Sequence, residues 1–432
     1  MGRGHAERST PREGDHVVVS HLTRPEPTPS EIGEKMRRLR ERRGWSLELV
    51  AGRLGMTRQN LSKYERGERR VLERGLLTRI AEAYECHVLD LTGEPYSPVD
   101  EQSAIAHSAI MPIQLALLDC DFDDVPDQPA RPLDDLARGV RDANRQRDFT
   151  RYEIAGRDLG DLLTELQIVA ATGDEAEQRR ALTLFVEACL VAYEISKNLG
   201  HPTLGVEAAR RGLGAAKRLG DPAMLGFARW YYALGLMRVG AHRRAAASLA
   251  RGIEHMEAVA DPSAADTLGT EIYGLLHLTS ALEASRTGRA DVAHGHLAEA
   301  QRTAARTGER NGLMQHFGPT NCAAWSLTVG VELGEGAGAA ERARRENVDL
   351  NVFDSPNRVG AWHYDFARAL AQDGGGRDMD AIRHLDIAAR TAPQRLNHDP
   401  IARELVMELD GRARMAMWEL DSLRNRFGLN VD

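Results

Sequence analysis

Apolar residues recur three and four positions apart along most of the chain, which is the spacing of one face of an amphipathic helix. Between residues 30 and 93 this spacing is interrupted by Gly44, Gly55 and Gly67, and the pattern predicts short helices that end at these glycines. Two of the predicted helices flank a turn of about three residues, as a helix-turn-helix requires. Residues 30–93 are therefore predicted to form a small helical domain.

Hydroxyl side chains stand just before three of these helices. Ser30, Ser46 and Thr57 each occupy an N-cap position, where a side-chain oxygen accepts a hydrogen bond from a backbone N–H of the first turn. The segments LLTRIAEAY and 88–91 predict a fourth and a fifth helix. The domain is thus expected to contain five helices.

A second pattern begins at about residue 150 and repeats along the chain. Each of Gly240, Gly288 and Gly376 is followed five positions later by a small residue and nine positions later by leucine, and Gly200 and Gly334 begin weaker copies. The five glycines are 40 to 48 residues apart. Such a period predicts stacked pairs of antiparallel helices. The fold class is therefore predicted to be all-α: a five-helix domain followed by an α-solenoid.

The same patterns divide the chain into four parts. Residues 1–29 lack periodicity and are predicted to form a disordered tail, and residues 30–93 form the helix-turn-helix domain. Residues 94–150, which prolines and aspartates interrupt, are predicted to form a connector with short helices. Residues 151–432 are predicted to form the helical repeat domain, with a role in sensing and dimerisation.

Charge is unevenly distributed between these parts. The formal net charge of the chain is −8, but residues 30–93 contain 14 Lys or Arg against 10 Asp or Glu, whereas residues 1–29 are neutral. The remainder therefore carries a net charge of −12. A basic domain attached to an acidic body is typical of a protein that binds nucleic acid through the basic part alone.

The run MRRLRERRGWSLELVAGRLGMTRQNLSKYERGERR, residues 36–70, resembles the Xre family, the Cro and phage-repressor type of helix-turn-helix regulator. The resemblance implies that the third helix reads an operator in double-stranded DNA and that Arg40 pairs with Glu65 in a structural role. The family usually has Gln at the start of the second helix, where this chain has Leu47. The repeats resemble the tetratricopeptide class, and the combination is similar to actinobacterial regulators and, more loosely, to peptide-responsive regulators of Gram-positive bacteria.

The third helix offers the side chains that such reading requires. With Leu61 placed inward, the residues predicted to contact base edges are Arg58, Gln59, Asn60, Ser62 and Lys63. The residues predicted to contact phosphate are Ser46, Thr57, Arg66, Arg69 and Arg70. The alternative is that this helix is only a solvated, charged surface.

Two partners follow from this interpretation. One helix-turn-helix contacts only a few base pairs, so we expect a homodimer on two half-sites. The concave face of the solenoid is expected to bind an effector, either a peptide or a small molecule. The candidate contacts are Tyr273, His277, Asn321, Trp325 and His363. The alternative is that most of these side chains serve in packing, and that Asn321 caps a helix.

Enzymatic functions find no support in the sequence. None of the four lysines stands in a phosphate-binding GxxxxGK[ST] segment, and no HExxH motif occurs, so we expect no catalysis, cofactor or metal. No apolar signal segment or membrane span is apparent, and a cytoplasmic location is expected. The leading interpretation is a sequence-specific transcriptional regulator. The rival is an interaction scaffold whose N-terminal module does not read DNA specifically.

Overall fold

The computed structural model describes residues 30–93, 101–261, 266–346 and 348–429. Apart from one isolated bridge between Asp121 and Asp124, all regular structure in these ranges is helical, as predicted. The predicted tail, residues 1–29, lies outside the described residues. None of the helices described combines the length and the apolar character that a membrane span requires.

Five helices form the N-terminal domain: α1 (Glu31–Arg42), α2 (Leu47–Leu54), α3 (Arg58–Glu65), α4 (Arg74–Ala83) and α5 (Val88–Thr92). Ser30, Ser46 and Thr57 cap the first three, each accepting a hydrogen bond from a backbone N–H three residues ahead. Gly55 ends α2 with a φ of 65°, a left-handed conformation that glycine adopts without strain. The predicted helices and caps of this domain are therefore confirmed.

Five helices follow the N-terminal domain: α6 (Glu101–Ser108), α7 (Ile110–Leu118), α8 (Leu133–Asp148), α9 (Tyr152–Ala155) and α10 (Leu159–Thr172). We expected α6 to α8 to lie in a connector. Instead, Ile113, Leu117, Leu136 and Val140 are buried in the same hydrophobic core as the repeats, because one face of α7 and of α8 is apolar and packs on α10 and the helix that follows it. The predicted boundary at residue 150 thus does not separate two cores.

Five antiparallel helix pairs then stack side by side: α11 (Glu175–Asn198) with α12 (Pro202–Leu219), α13 (Pro222–Arg238) with α14 (His242–Glu257), α15 (Leu268–Arg286) with α16 (Ala290–Thr307), α17 (Pro319–Glu332) with α18 (Gly336–Glu346), and α19 (Pro356–Ala371) with α20 (Asp378–Thr391). The chain ends in α21 (Pro393–Leu396), α22 (Pro400–Arg412) and α23 (Trp418–Arg426).

The predicted anchor glycines lie in the turns within these pairs. Gly200, Gly240, Gly288 and Gly334 have φ angles of 75° to 85°, which favour glycine. Gly376 lies in the turn between α19 and α20, where its neighbours have the positive φ angles instead. The residues five positions after the anchors are buried where the two helices of a pair meet, as their small size predicted.

The N-terminal domain packs directly on the repeat array through the start of α4. The backbone N–H of Gly75 donates to Glu332 Oε2 at 3.4 Å, and Arg368 donates to the carbonyl of Leu72 at 2.9 Å. A Cβ atom on Gly75 would lie 2.5 Å from the carbonyl oxygen of Arg286. Because Arg286, Glu332 and Arg368 lie near the C-terminal ends of α15, α17 and α19, the domain is seated on one rim of the array.

Candidate nucleic-acid interface and interior cavity

Helix α3 presents one buried and one solvent-facing side. Leu61 and Tyr64 are buried in the core of the N-terminal domain, whereas Arg58, Gln59 and Lys63 are exposed. Asn60 and Ser62, the other two predicted base contacts, are half-buried at the edge of the exposed side. All five residues thus lie on the accessible side of α3, and the reading of base edges by them stays a prediction.

The cations of this surface are held by weak, exposed partners. Arg66 donates to Ser62 Oγ and to Glu68 Oε1, both at 2.7 Å, and Arg58 lies 3.0 Å from Glu48. Pairs this exposed contribute about 0–1 kcal/mol, so a phosphate can replace the carboxylate at little cost. Arg69 donates to Asn60 Oδ1 at 3.1 Å. These contacts orient the cationic side chains but neutralise their charge only weakly.

The starts of α2 and α3 form a second feature of the interface. Ser46 Oγ accepts from the N–H of Leu49 at 3.1 Å, and Thr57 Oγ1 accepts from the N–H of Asn60 at 3.2 Å. Both side chains therefore act as caps. Exposed helix N-termini attract anions through free backbone N–H groups and the helix dipole, and this is the form of phosphate contact that these two residues can support.

A buried ion pair fixes α3 in the domain. Arg40 Nε and Nη2 lie 2.7 Å from the two carboxylate oxygens of Glu65, which confirms the pair that the Xre resemblance implied. The Tyr84 hydroxyl also donates to Glu65, at 2.7 Å. Burial and this hydrogen bond raise the pKa of the Tyr84 phenol. The network links α1, α3 and the end of α4, so the orientation of the reading helix depends on it.

Arg70 does not lie where the sequence predicted. Its side chain is buried, and Nη1 donates to Glu404 Oε2 of α22 at 3.2 Å. Ser30 Oγ donates to the same carboxylate at 2.9 Å, and burial raises the pKa of Glu404 although Arg70 opposes this shift. The prediction of a phosphate contact is therefore wrong for Arg70 in this conformation, because a distant acidic residue competes for its guanidinium group.

The inner side of the repeat array encloses a cavity of about 210 Å³. Its wall is made chiefly by the first helices of the pairs, α11, α13, α15, α17 and α19, and α4 of the N-terminal domain contributes Arg74. The cationic side chains of the wall are Arg74, Arg147, Lys197, Arg238, Arg286, Arg358, Arg368 and Arg395.

Two of the predicted effector contacts line this cavity, namely Asn321 and Trp325 of α17. The other three do not. The hydroxyl of Tyr273 lies 3.5 Å from Glu299, and His277 lies 3.0 Å from His296, so both face the second helix of their own pair. The structure thus places these two side chains against the partner helix and not on the cavity, because a helical pattern does not say which buried face meets which surface.

His363 is misplaced for the same reason. Its Nδ1 lies 2.8 Å from Nδ1 of His384 on α20, away from the cavity. The sequence interpretation also missed the arginines that dominate the cavity wall, because an arginine on a helix normally indicates a solvent-exposed position. A usable signal was present for Arg368, which stands in the otherwise apolar run FARALA, residues 366–371, where a solvated side chain is not expected.

Comparisons with known proteins bear mainly on the N-terminal part. Residues 31–91 match the model of a family described as a helix-turn-helix domain. A comparison with curated proteins found no match for the chain. Among solved structures, PlcR of Bacillus thuringiensis, in complex with the peptide PapR7 and DNA, is 13% identical, with 64% of this chain and 95% of PlcR covered at a TM-score of 0.28.

The matched residues span helices α1 to α5, and within them a turn of three residues joins α2 to α3. The N-terminal part of this protein is therefore a helix-turn-helix domain, and it is seated on an all-helical repeat array.

Proposed function

We propose that the protein is a sequence-specific, DNA-binding transcriptional regulator whose helix α3 reads the major groove. The observation that carries this proposal is the exposed side of α3, with Arg58, Gln59 and Lys63, within a domain that matches the helix-turn-helix family. Amide and guanidinium groups are the side chains that discriminate adenine and guanine in that groove. Asn60 and Ser62 would contribute at the edge of the same surface.

Phosphate contacts would come from the residues around α3. Arg66 and Arg69 are exposed, and the N-termini capped by Ser46 and Thr57 offer backbone N–H groups. These contacts would position the domain without selecting the sequence. The acidic body would repel DNA, so binding would be confined to the basic domain.

We infer that the regulator binds DNA as a homodimer and that α7 supplies the contact. Met111, Leu115 and Leu118 have 47% to 62% of their surface exposed and recur at helical spacing on α7. A soluble monomer does not normally expose such a stripe, whereas a symmetric interface would bury it. Two helix-turn-helix units would then meet two half-sites of the operator.

The interior cavity supports a further part of the proposal, namely that an effector modulates DNA binding. The wall of the cavity includes Arg74 of α4, and α4 packs in the same domain as the reading helix. A molecule in the cavity would therefore contact both the repeat array and the DNA-binding domain. Binding of an effector would change the contacts that hold the domain on the rim.

The test is selection of binding sites from random double-stranded DNA by the full chain, followed by affinity measurements on the selected site. We expect an enriched sequence with two half-sites. Arg58→Ala and Lys63→Ala should each weaken binding by about 1–3 kcal/mol and relax the preference at particular positions.

The matched control is Arg383→Ala, which removes one exposed arginine from α20 of the array, far along the chain from the reading helix. It should leave the affinity and the selected sequence unchanged. Failure to enrich any sequence would contradict the proposal and favour an interaction scaffold instead.

A further inference from the structure

The cavity within the repeat array carries an excess of positive charge. Eight Arg or Lys side chains line it, whereas the carboxylates that line it are Glu194, Asp365 and Asp399. Two more carboxylates, Asp148 and Glu332, pair with lining arginines. This concentration of cations occurs in a body whose net charge is −12, so it is a local property of the cavity.

Two of these cations lack a full counter-charge. Glu332 lies 3.8 Å from Arg286 but is shared with Arg368, at 3.1 Å, and Arg368 also pairs with Asp365 at 2.9 Å. Arg358 donates to the backbone carbonyl of Gln315 at 3.1 Å rather than to a carboxylate. Burial lowers the pKa of Arg358 to about 10, although Asp148 opposes the shift. An incoming anion would therefore gain interactions that the protein itself does not provide.

Hydrogen-bonding groups on the wall are also left over. In the part of the chain that the structure describes, the hydroxyl of Tyr364 and the Nε atoms of Arg286, Arg358 and Arg368 are buried and have no hydrogen-bond partner. Tyr364 is 7% exposed and Arg368 is 4% exposed. Buried donors are normally satisfied, and four that are not belong to residues of this one cavity wall.

The rest of the wall limits the size and shape of the occupant. Trp230, Trp325 and Trp362 line the cavity together with Phe353. The indole N–H of Trp230 already donates to Thr279 at 2.8 Å, so this side chain offers only its ring. A volume of about 210 Å³ is smaller than the ~300–1,000 Å³ of pockets for drug-sized ligands. The occupant is therefore compact, and a flat ring would fit the aromatic wall.

We propose that this cavity is a binding site for a compact, planar molecule with at least two negative charges, such as an aromatic dicarboxylate or a small aryl phosphate. Arg358, Arg368 and Tyr364 bind its anionic groups, and Trp325 and Trp362 enclose its ring. Binding to the array does not depend on DNA. A separate consequence, which rests on the proposed function, is that ligand binding changes operator affinity through Arg74.

Calorimetric titration of the full chain, without DNA, tests the site with four probes. These are terephthalate, phenyl phosphate, the singly charged benzoate, and the neutral terephthalamide. We expect terephthalate or phenyl phosphate to bind at least tenfold more tightly than terephthalamide, with benzoate between them. The order of the first two distinguishes a carboxylate from a phosphate ligand. Equal affinity of charged and neutral probes would overturn the proposal, as would no binding of either dianion at about 10 mM, since even a fragment-sized ligand reaches ~1 mM.

Three variants connect the binding to this cavity. Arg358→Met should weaken the better dianion at least tenfold, Arg358→Lys should weaken it less, and Arg383→Met on the exposed side of α20 should leave it unchanged. Tryptophan fluorescence provides an independent measurement that does not rely on Arg358. The bound dianion should quench the wild-type emission, and Trp325→Phe should lose part of that quenching. An unchanged affinity in Arg358→Met together with unchanged quenching in Trp325→Phe would place the probe elsewhere and overturn the proposal.

Discussion

Arg70 and Glu404 form a hydrogen-bonded ion pair across 334 positions of the chain, with an Nη1 to Oε2 distance of 3.2 Å. Their side chains are 2% and 4% exposed. Ser30, which caps α1, donates to the same carboxylate. The buried Glu404 of α22 therefore binds the N-terminal domain at two points, one just before α1 and one after α3. The position of the N-terminal domain on the array is therefore set by charged groups that water does not reach.

The first prediction concerns this ion pair. Arg70→Met should lower the free energy of unfolding by about 3 kcal/mol, because it leaves Glu404 buried without its cation. Denaturant titration measures the change. The matched control is Arg69→Met, whose side chain is exposed and whose replacement should stay within about 0.5 kcal/mol of wild type. Similar effects of the two substitutions would show that the buried pair does not stabilise the protein.

The same two arginines should behave in the opposite way toward DNA. A side chain that neutralises one phosphate contributes about 0.9 to the slope of log affinity against log salt concentration. Arg69→Ala should therefore reduce this slope by about one, whereas a docked Arg70 contributes nothing to it. The measurement is operator affinity of Arg69→Ala and Arg70→Ala over a series of salt concentrations. A reduced slope in Arg70→Ala would indicate that the N-terminal domain leaves the rim when it binds DNA.

A third prediction addresses the exposed stripe of α7. Replacing Leu115 and Leu118 together with Glu should convert a dimer into a monomer, because four buried charges cannot be accommodated at a symmetric apolar contact. Sedimentation velocity of the free protein measures the oligomeric state, and operator affinity should fall in parallel. As a control, Val292→Glu alters an exposed apolar residue of α16 and should leave the dimer intact. A wild-type chain that sediments as a monomer with and without its operator would contradict the dimer itself.

The fourth prediction follows from the two histidine pairs of the array. Burial lowers the pKa of both His277 and His363 to about 4, against 6.5 in the unfolded chain. The second cause is the neighbouring ring, which is His296 for His277 and His384 for His363. A lowered pKa means that the unfolded state binds the proton more readily. The stability due to these residues is therefore complete above pH 6.5 and is lost as the pH falls from about 6.5 to 4, by up to ~1.4 kcal/mol per pH unit for each histidine.

Denaturant titration between pH 7 and pH 4 checks this sign. The double variant His277→Gln and His363→Gln should lose less stability over that range than the wild type does. His255→Gln, on the exposed side of α14, serves as the control and should follow the wild-type curve. Identical curves for the double variant and the wild type would mean that the paired rings take up their protons as readily in the folded state as in the unfolded chain.

Sequence reasoning succeeded where the decisive interactions are local. Caps such as Thr57 and turn glycines such as Gly240 act within a few residues, so their spacing predicts helix boundaries directly. The pair of Arg40 and Glu65 was accessible because the family resemblance supplied a contact between helices that spacing alone does not give. The exposed side of α3 followed from the position of Leu61 on a helical wheel.

The chain by itself determined that the protein is helical, that a basic helix-turn-helix precedes an acidic array, and which residues of α3 face solvent. Only the tertiary structure decided that Arg70 is buried against Glu404, that His363 faces His384, and that arginines from separate repeats converge on one cavity. The physical reason is the distance along the chain over which the deciding interactions act. Periodicity fixes the buried face of a helix, but the identity of the surface opposite that face depends on how distant segments pack, and buried charges find their partners only then.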